Sequence, residues 1–69
     1  MNLEEDVMKI VNKHLKAFDT GEFFNGTLFI KSNKDTAMAI YIDLCNLYRK
    51  RNVLFTIGNR GEYSIDFRL

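Results

Sequence analysis

The sequence predicts an α+β fold, a two-layer sandwich of the order α-β-α-β-β in which two helices cover one face of a three-stranded sheet. Two segments space their apolar residues as amphipathic helices do, and the final segment alternates apolar and polar residues strictly. Strict alternation gives a strand one buried and one solvated face, so both helices are expected on the buried side. The chain contains no proline, repeat or low-complexity stretch, so residues 1–69 are expected to form one domain.

The first helix is predicted over residues 3–18, LEEDVMKIVNKHLKAF. Acidic residues fill its first turn and lysines lie toward its end, which is the arrangement that the helix dipole favours. Its apolar face comprises Leu3, Val7, Ile10, Val11, His14, Leu15 and Phe18. His14 is expected to be a packed residue with one hydrogen-bond partner, because a general base would need a second polar group within reach and the nearby positions of this face are aliphatic.

The first strand is predicted at residues 26–32, GTLFIKS, with Leu28 and Ile30 facing the core and Phe29 facing the other way. The preceding segment, EFFNG, permits two interpretations. Its Asn-Gly pair suits a tight hairpin turn, but only two apolar residues come before it. A loop whose two phenylalanines cover the core is therefore favoured over a strand.

The second helix is predicted over residues 33–51, with Ser32 or Asn33 as its N-cap. Its apolar residues form a main stripe and a flank: Ala37, Ile40, Tyr41, Leu44, Leu47 and Tyr48 on the stripe, and Met38, Ile42 and Cys45 on the flank. Two further strands, at residues 53–57 and 62–69, are predicted to form a C-terminal β-hairpin around the turn GNRG.

Charge and composition argue against several classes of function. The net charge is +1, whereas a protein that depends on bulk attraction to phosphate is usually much more basic. The longest apolar run, residues 37–42, is too short to span a bilayer. One cysteine and one histidine cannot supply a usual structural zinc site, and no cofactor is expected. A lone cysteine suits a reducing compartment, and the acidic N-terminus is unlike a signal peptide, so a cytoplasmic location is expected.

No arrangement of residues predicts catalysis, and no enzymatic activity is expected. Cys45 is more typical of a small buried hydrophobe than of a nucleophile, because nothing in the sequence suggests a group that would activate its thiolate. The segment GNRG lacks the spacing and the following helix of a phosphate-binding loop.

Two apolar features have no evident use inside the predicted fold. Phe29 and Leu54 are expected on the solvated face of the sheet, where they would form one patch if their strands are neighbours. The flank of the second helix, formed by Met38, Ile42 and Cys45, is the other feature and suits a homodimer contact. Apolar anchors ringed by polar groups are typical of protein–protein interfaces.

A basic cluster supports an alternative function. Arg49, Lys50 and Arg51 end the second helix, and Arg60 lies in the hairpin turn, so the four would form a phosphate-binding corner if they meet. The structural interpretation is that cations favour a helix C-terminus and that turns are exposed. A nucleic-acid-binding module is therefore the second hypothesis.

The favoured function is a small cytosolic, non-enzymatic binding or regulatory protein that acts by contacting another protein. A homodimer is a further expectation, and no membrane contact is expected. The compact length, the absence of catalytic groups and the Lys-, Asn- and Ile-rich composition resemble the small accessory and inhibitor proteins that bacteriophages make.

Overall fold

The computed structural model describes residues 3–49, 53–58 and 60–67. Its elements follow the order α-β-β-α-β-β. They are α1 (Leu3–His14), β1 (Thr20–Phe24), β2 (Thr27–Lys31), α2 (Lys34–Leu47), β3 (Leu54–Ile57) and β4 (Glu62–Asp66). The four strands form one antiparallel sheet in the order β1-β2-β4-β3. β2 and β3 therefore run parallel to each other with β4 between them, and α2 crosses over β4 to join them.

The predicted three-stranded sheet and the order α-β-α-β-β are wrong, because residues 20–24 form a strand and not a loop. Asn25 and Gly26 have positive φ angles of 53° and 80°, the backbone that a two-residue hairpin turn requires. They join β1 to β2, and Phe24 pairs with Thr27 directly across the turn. The inward positions of β1 are Gly21 and Phe23, so the strand has one apolar side chain facing the core and little hydrophobic alternation.

The core lies between the sheet and the two helices. Its buried apolar members are Val7, Val11, Leu28, Ile30, Ile40, Leu44, Ile65 and Phe67. α1 approaches β1, where Gly21 leaves room for it, and α2 lies toward β3, where the Tyr41 and Phe55 rings meet with centroids 4.9 Å apart. The outward side chains of the sheet therefore point away from both helices.

The first helix ends at His14, earlier than the sequence predicts. The Asp19 carboxylate accepts a hydrogen bond from the Lys16 amide at 2.9 Å, and the Asp19 amide donates to the Lys16 carbonyl at 3.0 Å. This local turn competes with continuation of the helix. Phe18 consequently leaves the predicted apolar face and is 97% exposed.

The second helix begins after Asn33, whose side-chain oxygen accepts a hydrogen bond from the Thr36 amide at 2.8 Å. It ends at Leu47, before the predicted end at residue 51, and residues 50–52 lie outside the described part of the chain. Neither α1 nor α2, the two helices of the described residues, is long and apolar enough to cross a membrane.

The β3–β4 turn packs against the start of α2. The Ser32 amide donates to the Gly61 carbonyl at 2.9 Å, and the Gly58 amide donates to the Glu62 carbonyl at 2.7 Å. Arg60 and Gly61 both have positive φ, 56° and 77°. These bonds fix the position of the turn relative to the helices.

Candidate protein-binding site

The side of the sheet that points away from the helices, which we call the open face, carries outward side chains from all four strands. In the described residues they are Thr20, Glu22, Phe24, Thr27, Phe29, Lys31, Leu54, Thr56, Glu62, Ser64 and Asp66. Their facing follows from the alternation of each strand, because buried Leu28, Ile30 and Ile65 occupy the intervening positions. Large apolar side chains on this face meet solvent.

Phe24 and Phe29 form the aromatic part of the open face. They are 72% and 48% exposed. Phe24 pairs with Thr27, so Phe29 is its diagonal neighbour on β2. Diagonal positions lie about 7–8 Å apart, within reach of aromatic side chains. Sequence reasoning missed Phe24 because it assigned that residue to a core-covering loop, although the Asn-Gly turn was a usable signal for the strand.

Leu54, which is 50% exposed, is separated from Phe29. The two strands that carry them are not neighbours, since β4 lies between β2 and β3. Leu54 pairs with Asp66, and Phe29 pairs with Ser64, so two polar side chains stand between them. Two strand spacings are about 10 Å. The single Phe29–Leu54 patch does not form, and Leu54 is a second apolar point on the same face.

A groove of about 270 Å³ runs beside Phe29 along one end of the open face. Its polar lining includes Glu22, Lys31 and Glu62, and Lys31 pairs directly with Glu62 across β2 and β4. With Asp66, the described open face carries three carboxylates and Lys31 as its one basic side chain. Within the described residues, the rim around the aromatic side chains therefore carries more acidic than basic groups.

The α2 flank lies on the other side of the sheet. Ile42 is 52% exposed, and Met38 and Cys45 are half-buried. Tyr41 beside them packs on Phe55 of β3, and a side-chain hydrogen bond with Cys45 raises the pKa of Tyr41. The flank is thus adjacent to the edge strand β3, on the helix side of the sheet. The flank and the open face are therefore two separate surfaces.

The structure does not bring together Arg49 and Arg60, the two described members of the predicted basic cluster. Arg49 follows the C-terminal end of α2, whereas Arg60 lies in the turn that Gly61 holds against Ser32 at the N-terminal end. The 14 residues of α2 separate these ends by about 20 Å. Lys50 and Arg51 lie outside the described residues. A corner that contains both Arg49 and Arg60 is therefore not formed.

His14 has the hydrogen-bond partner that the sequence predicts, although the sequence does not indicate which residue it is. Its Nε2 lies 2.6 Å from Oδ2 of Asp43, a residue of α2 that is 29 positions away in the chain. Both side chains are half-buried, and the pair joins the end of α1 to α2. In the described residues, no three His, Cys, Asp or Glu side chains are grouped so that they could hold a metal ion. We interpret the pair as a link between helices.

Comparisons with models of protein families, with curated proteins and with solved structures found no match to this chain. The functional inference therefore rests on the chemistry of the surface. Of the surfaces described above, the open face has the most exposed aromatic area with a charged rim.

Proposed function

We propose that this chain is a non-enzymatic binding protein that regulates another protein by contacting it through the open face. The observation that carries the proposal is the exposure of Phe24 and its diagonal neighbour Phe29 on a sheet face that no described helix covers. Fully burying one such side chain contributes about 1.5–3 kcal/mol from area alone. Aromatic residues within a polar rim are the usual centre of a protein interface.

The charges of the open face define the chemistry of the partner. Glu22, Glu62 and Asp66 surround the aromatic pair, with Lys31 as the described basic side chain. Complementary charge steers association and suppresses wrong partners. The partner surface is therefore expected to have an apolar centre and a rim of lysine and arginine. The cytoplasm is the proposed location, since a reducing compartment suits a chain with one free cysteine.

Nucleic-acid binding is the weaker alternative. Stacking on single strands needs exposed aromatic side chains inside a basic groove. Here the exposed aromatic pair has carboxylates around it, which repel phosphate, and Arg49 and Arg60 lie at opposite ends of α2. Recognition of single-stranded nucleic acid requires aromatic and basic side chains together, and here they are on different parts of the molecule.

The test is affinity capture from cytosolic lysate, with and without nuclease treatment, using matched variants. The open-face variant carries Phe24→Ala and Phe29→Ala, and the control carries Phe18→Ala, which removes a 97% exposed phenylalanine from the loop after α1. We expect a nuclease-resistant protein that the wild type and the control retain and the open-face variant loses. Loss of the captured protein with nuclease, or equal capture by all three chains, would contradict the proposal.

A further inference from the structure

β3 forms one edge of the sheet without the usual protection of an edge strand. Its sequence, LFTI, contains no charged residue and no proline. Edge strands of natural proteins commonly carry lysine, proline or a bulge, because free backbone groups invite pairing with another strand. Leu54 on one face of β3 and Ile57 on the other are 50% and 60% exposed. Both faces of this edge are therefore apolar and accessible.

The register fixes which backbone groups of β3 are free. The Gly58 amide donates to the Glu62 carbonyl, so the backbone groups of Gly58 point toward β4. Backbone groups alternate in direction along an antiparallel strand. The N–H and C=O groups of Phe55 and Ile57 therefore point to the free edge, and those of Thr56 point toward Ser64 on β4.

We propose that β3 pairs antiparallel with β3 of a second copy of this chain, about a two-fold axis through Thr56. The two four-stranded sheets then form one continuous sheet of eight strands. Phe55 of each copy exchanges backbone hydrogen bonds with Ile57 of the other, because these are the residues whose groups face the edge. Thr56 meets Thr56 on the axis.

The side chains that meet in this register are complementary to themselves. Phe55 lies opposite Ile57 twice, and aromatic residues pair favourably with β-branched ones across strands. Threonine opposite threonine is also a favourable pair. No charged side chain of β3 is brought against its own copy, since β3 has none. The sequence and register of β3 therefore suit a second copy of the same strand as its partner.

The other edge strand, β1, differs from β3 because it carries a charged side chain at its centre, Glu22. Phe24 and Thr27 close the two-residue turn, so the backbone groups of Gly21 and Phe23 face the edge. The equivalent two-fold pairing would place Glu22 directly against Glu22 of the second copy, and like charges in that position are destabilising. Self-pairing is thus favoured at β3 and opposed at β1, which gives a closed dimer and not an open fibre.

The helices fit the same arrangement. Tyr41 packs on Phe55, so α2 lies over the β3 side of the sheet. In the proposed dimer the α2 helices of the two copies lie on the same side of the continuous sheet and flank the two-fold axis. The half-buried Met38, Tyr41 and Cys45 would line the seam between them. The proposed contact therefore includes the α2 flank as well as the strand.

A site-specific cross-link tests the register. Thr56→Cys is made in a Cys45→Ala background, and Thr20→Cys in the same background is the control, because it lies on the other edge strand and leaves the charge of Glu22 in place. Facing residues of a non-hydrogen-bonded pair have Cα atoms about 4.5 Å apart, within the range of a disulfide. We expect a disulfide-linked dimer from the T56C chain in a mild redox buffer and little from the T20C chain. Equal yields would overturn the register.

Sedimentation equilibrium in a reducing buffer tests the dimer itself without any cross-link. We expect the wild type to show a concentration-dependent dimer, and Ile57→Lys to raise the dissociation constant at least about tenfold. Ile57 is 60% exposed, so the thermal unfolding of this variant should stay near that of the wild-type monomer. A wild type that stays monomeric at its solubility limit, or a dimer that Ile57→Lys leaves unchanged, would overturn the proposal.

Discussion

Gly21 of β1 lies so close to Val11 of α1 that a Cβ at position 21 would be 2.8 Å from Val11 Cγ1. The same Cβ would be 3.2 Å from Leu15 Cδ1. The missing side chain therefore lets α1 pack closely on β1. This contact holds the β1–β2 hairpin in place, and the hairpin places Phe24 beside Phe29 on the open face.

The first prediction concerns this close approach. Gly21→Ala should lower the free energy of unfolding by about 1–3 kcal/mol, because the added methyl group overpacks the contact with α1. Urea denaturation measures the change. The same substitution in a Val11→Ala background should cost less, since the colliding Cγ1 is gone. Equal costs in the two backgrounds would show that the strain lies elsewhere.

Local sequence patterns predict some elements of this fold and fail to predict others. The alternation of β4 and the helical spacing of α1 and α2 are local signals, and each predicts its element. β1 lacks such a signal, because one of its two inward positions is Gly21 and the strand is supported by its contact with α1. The Asn-Gly pair alone indicates a hairpin turn at the end of β1. The two apolar residues before that pair are too few to predict a strand.

The grouping of residues at the candidate site could not be predicted either, because it depends on the strand order and on the presence of β1. Alternation alone gives the facing of Phe29 and Leu54, but it does not give the strand order. β4 lies between β2 and β3, so Phe29 and Leu54 are apart. β1, which the sequence did not predict, supplies Phe24 as the diagonal aromatic neighbour of Phe29. The His14–Asp43 pair was likewise beyond sequence reasoning, because its two residues meet only when the helices pack.

The second prediction is that His14 and Asp43 stabilise the fold and take no part in partner binding. Their hydrogen bond joins α1 to α2 on the side of the sheet away from the open face. His14→Ala should cost about 0.5–1.5 kcal/mol of stability, and a double-mutant cycle with Asp43→Ala should show coupling between the two. Binding affinity at a temperature where the variant is folded should be unchanged. A stable His14→Ala chain that no longer binds would refute this assignment.

The third prediction is weak, salt-dependent binding to nucleic acids at most. Four phosphate contacts on a duplex would give a slope of log K against log salt of about −3.6, which is an upper bound here because Arg49 and Arg60 lie at opposite ends of α2. Fluorescence anisotropy with a labelled duplex across a salt series measures it. Arg60→Ala should change affinity little. Tight, sequence-selective binding at physiological salt would reverse the order of the two functional hypotheses.

The fourth prediction separates binding from stability on the open face. Phe29 is 48% exposed, so the part that remains for a partner to cover is worth about 1–1.5 kcal/mol, close to a tenfold change in affinity. Phe24 is 72% exposed and has more area left to bury. Phe24→Ala should therefore weaken partner binding at least as much as Phe29→Ala and cost less stability. Isothermal titration and urea denaturation of the two variants measure both quantities.

The exposed fractions of the phenylalanines also define the control variant and the outcome that would contradict the fourth prediction. Phe18→Ala removes an equally large side chain that is 97% exposed and lies off the open face, so it should change neither affinity nor unfolding. A Phe29→Ala chain that loses several kcal/mol of stability would show that Phe29 belongs to the core. The facing of β2 would then be reversed, with Leu28 and Ile30 at the surface, and the aromatic pair would not exist as a binding surface. If Phe24→Ala and Phe29→Ala both bind the partner as tightly as the wild type does, the described fold still holds. The open face is then excluded as the site of contact.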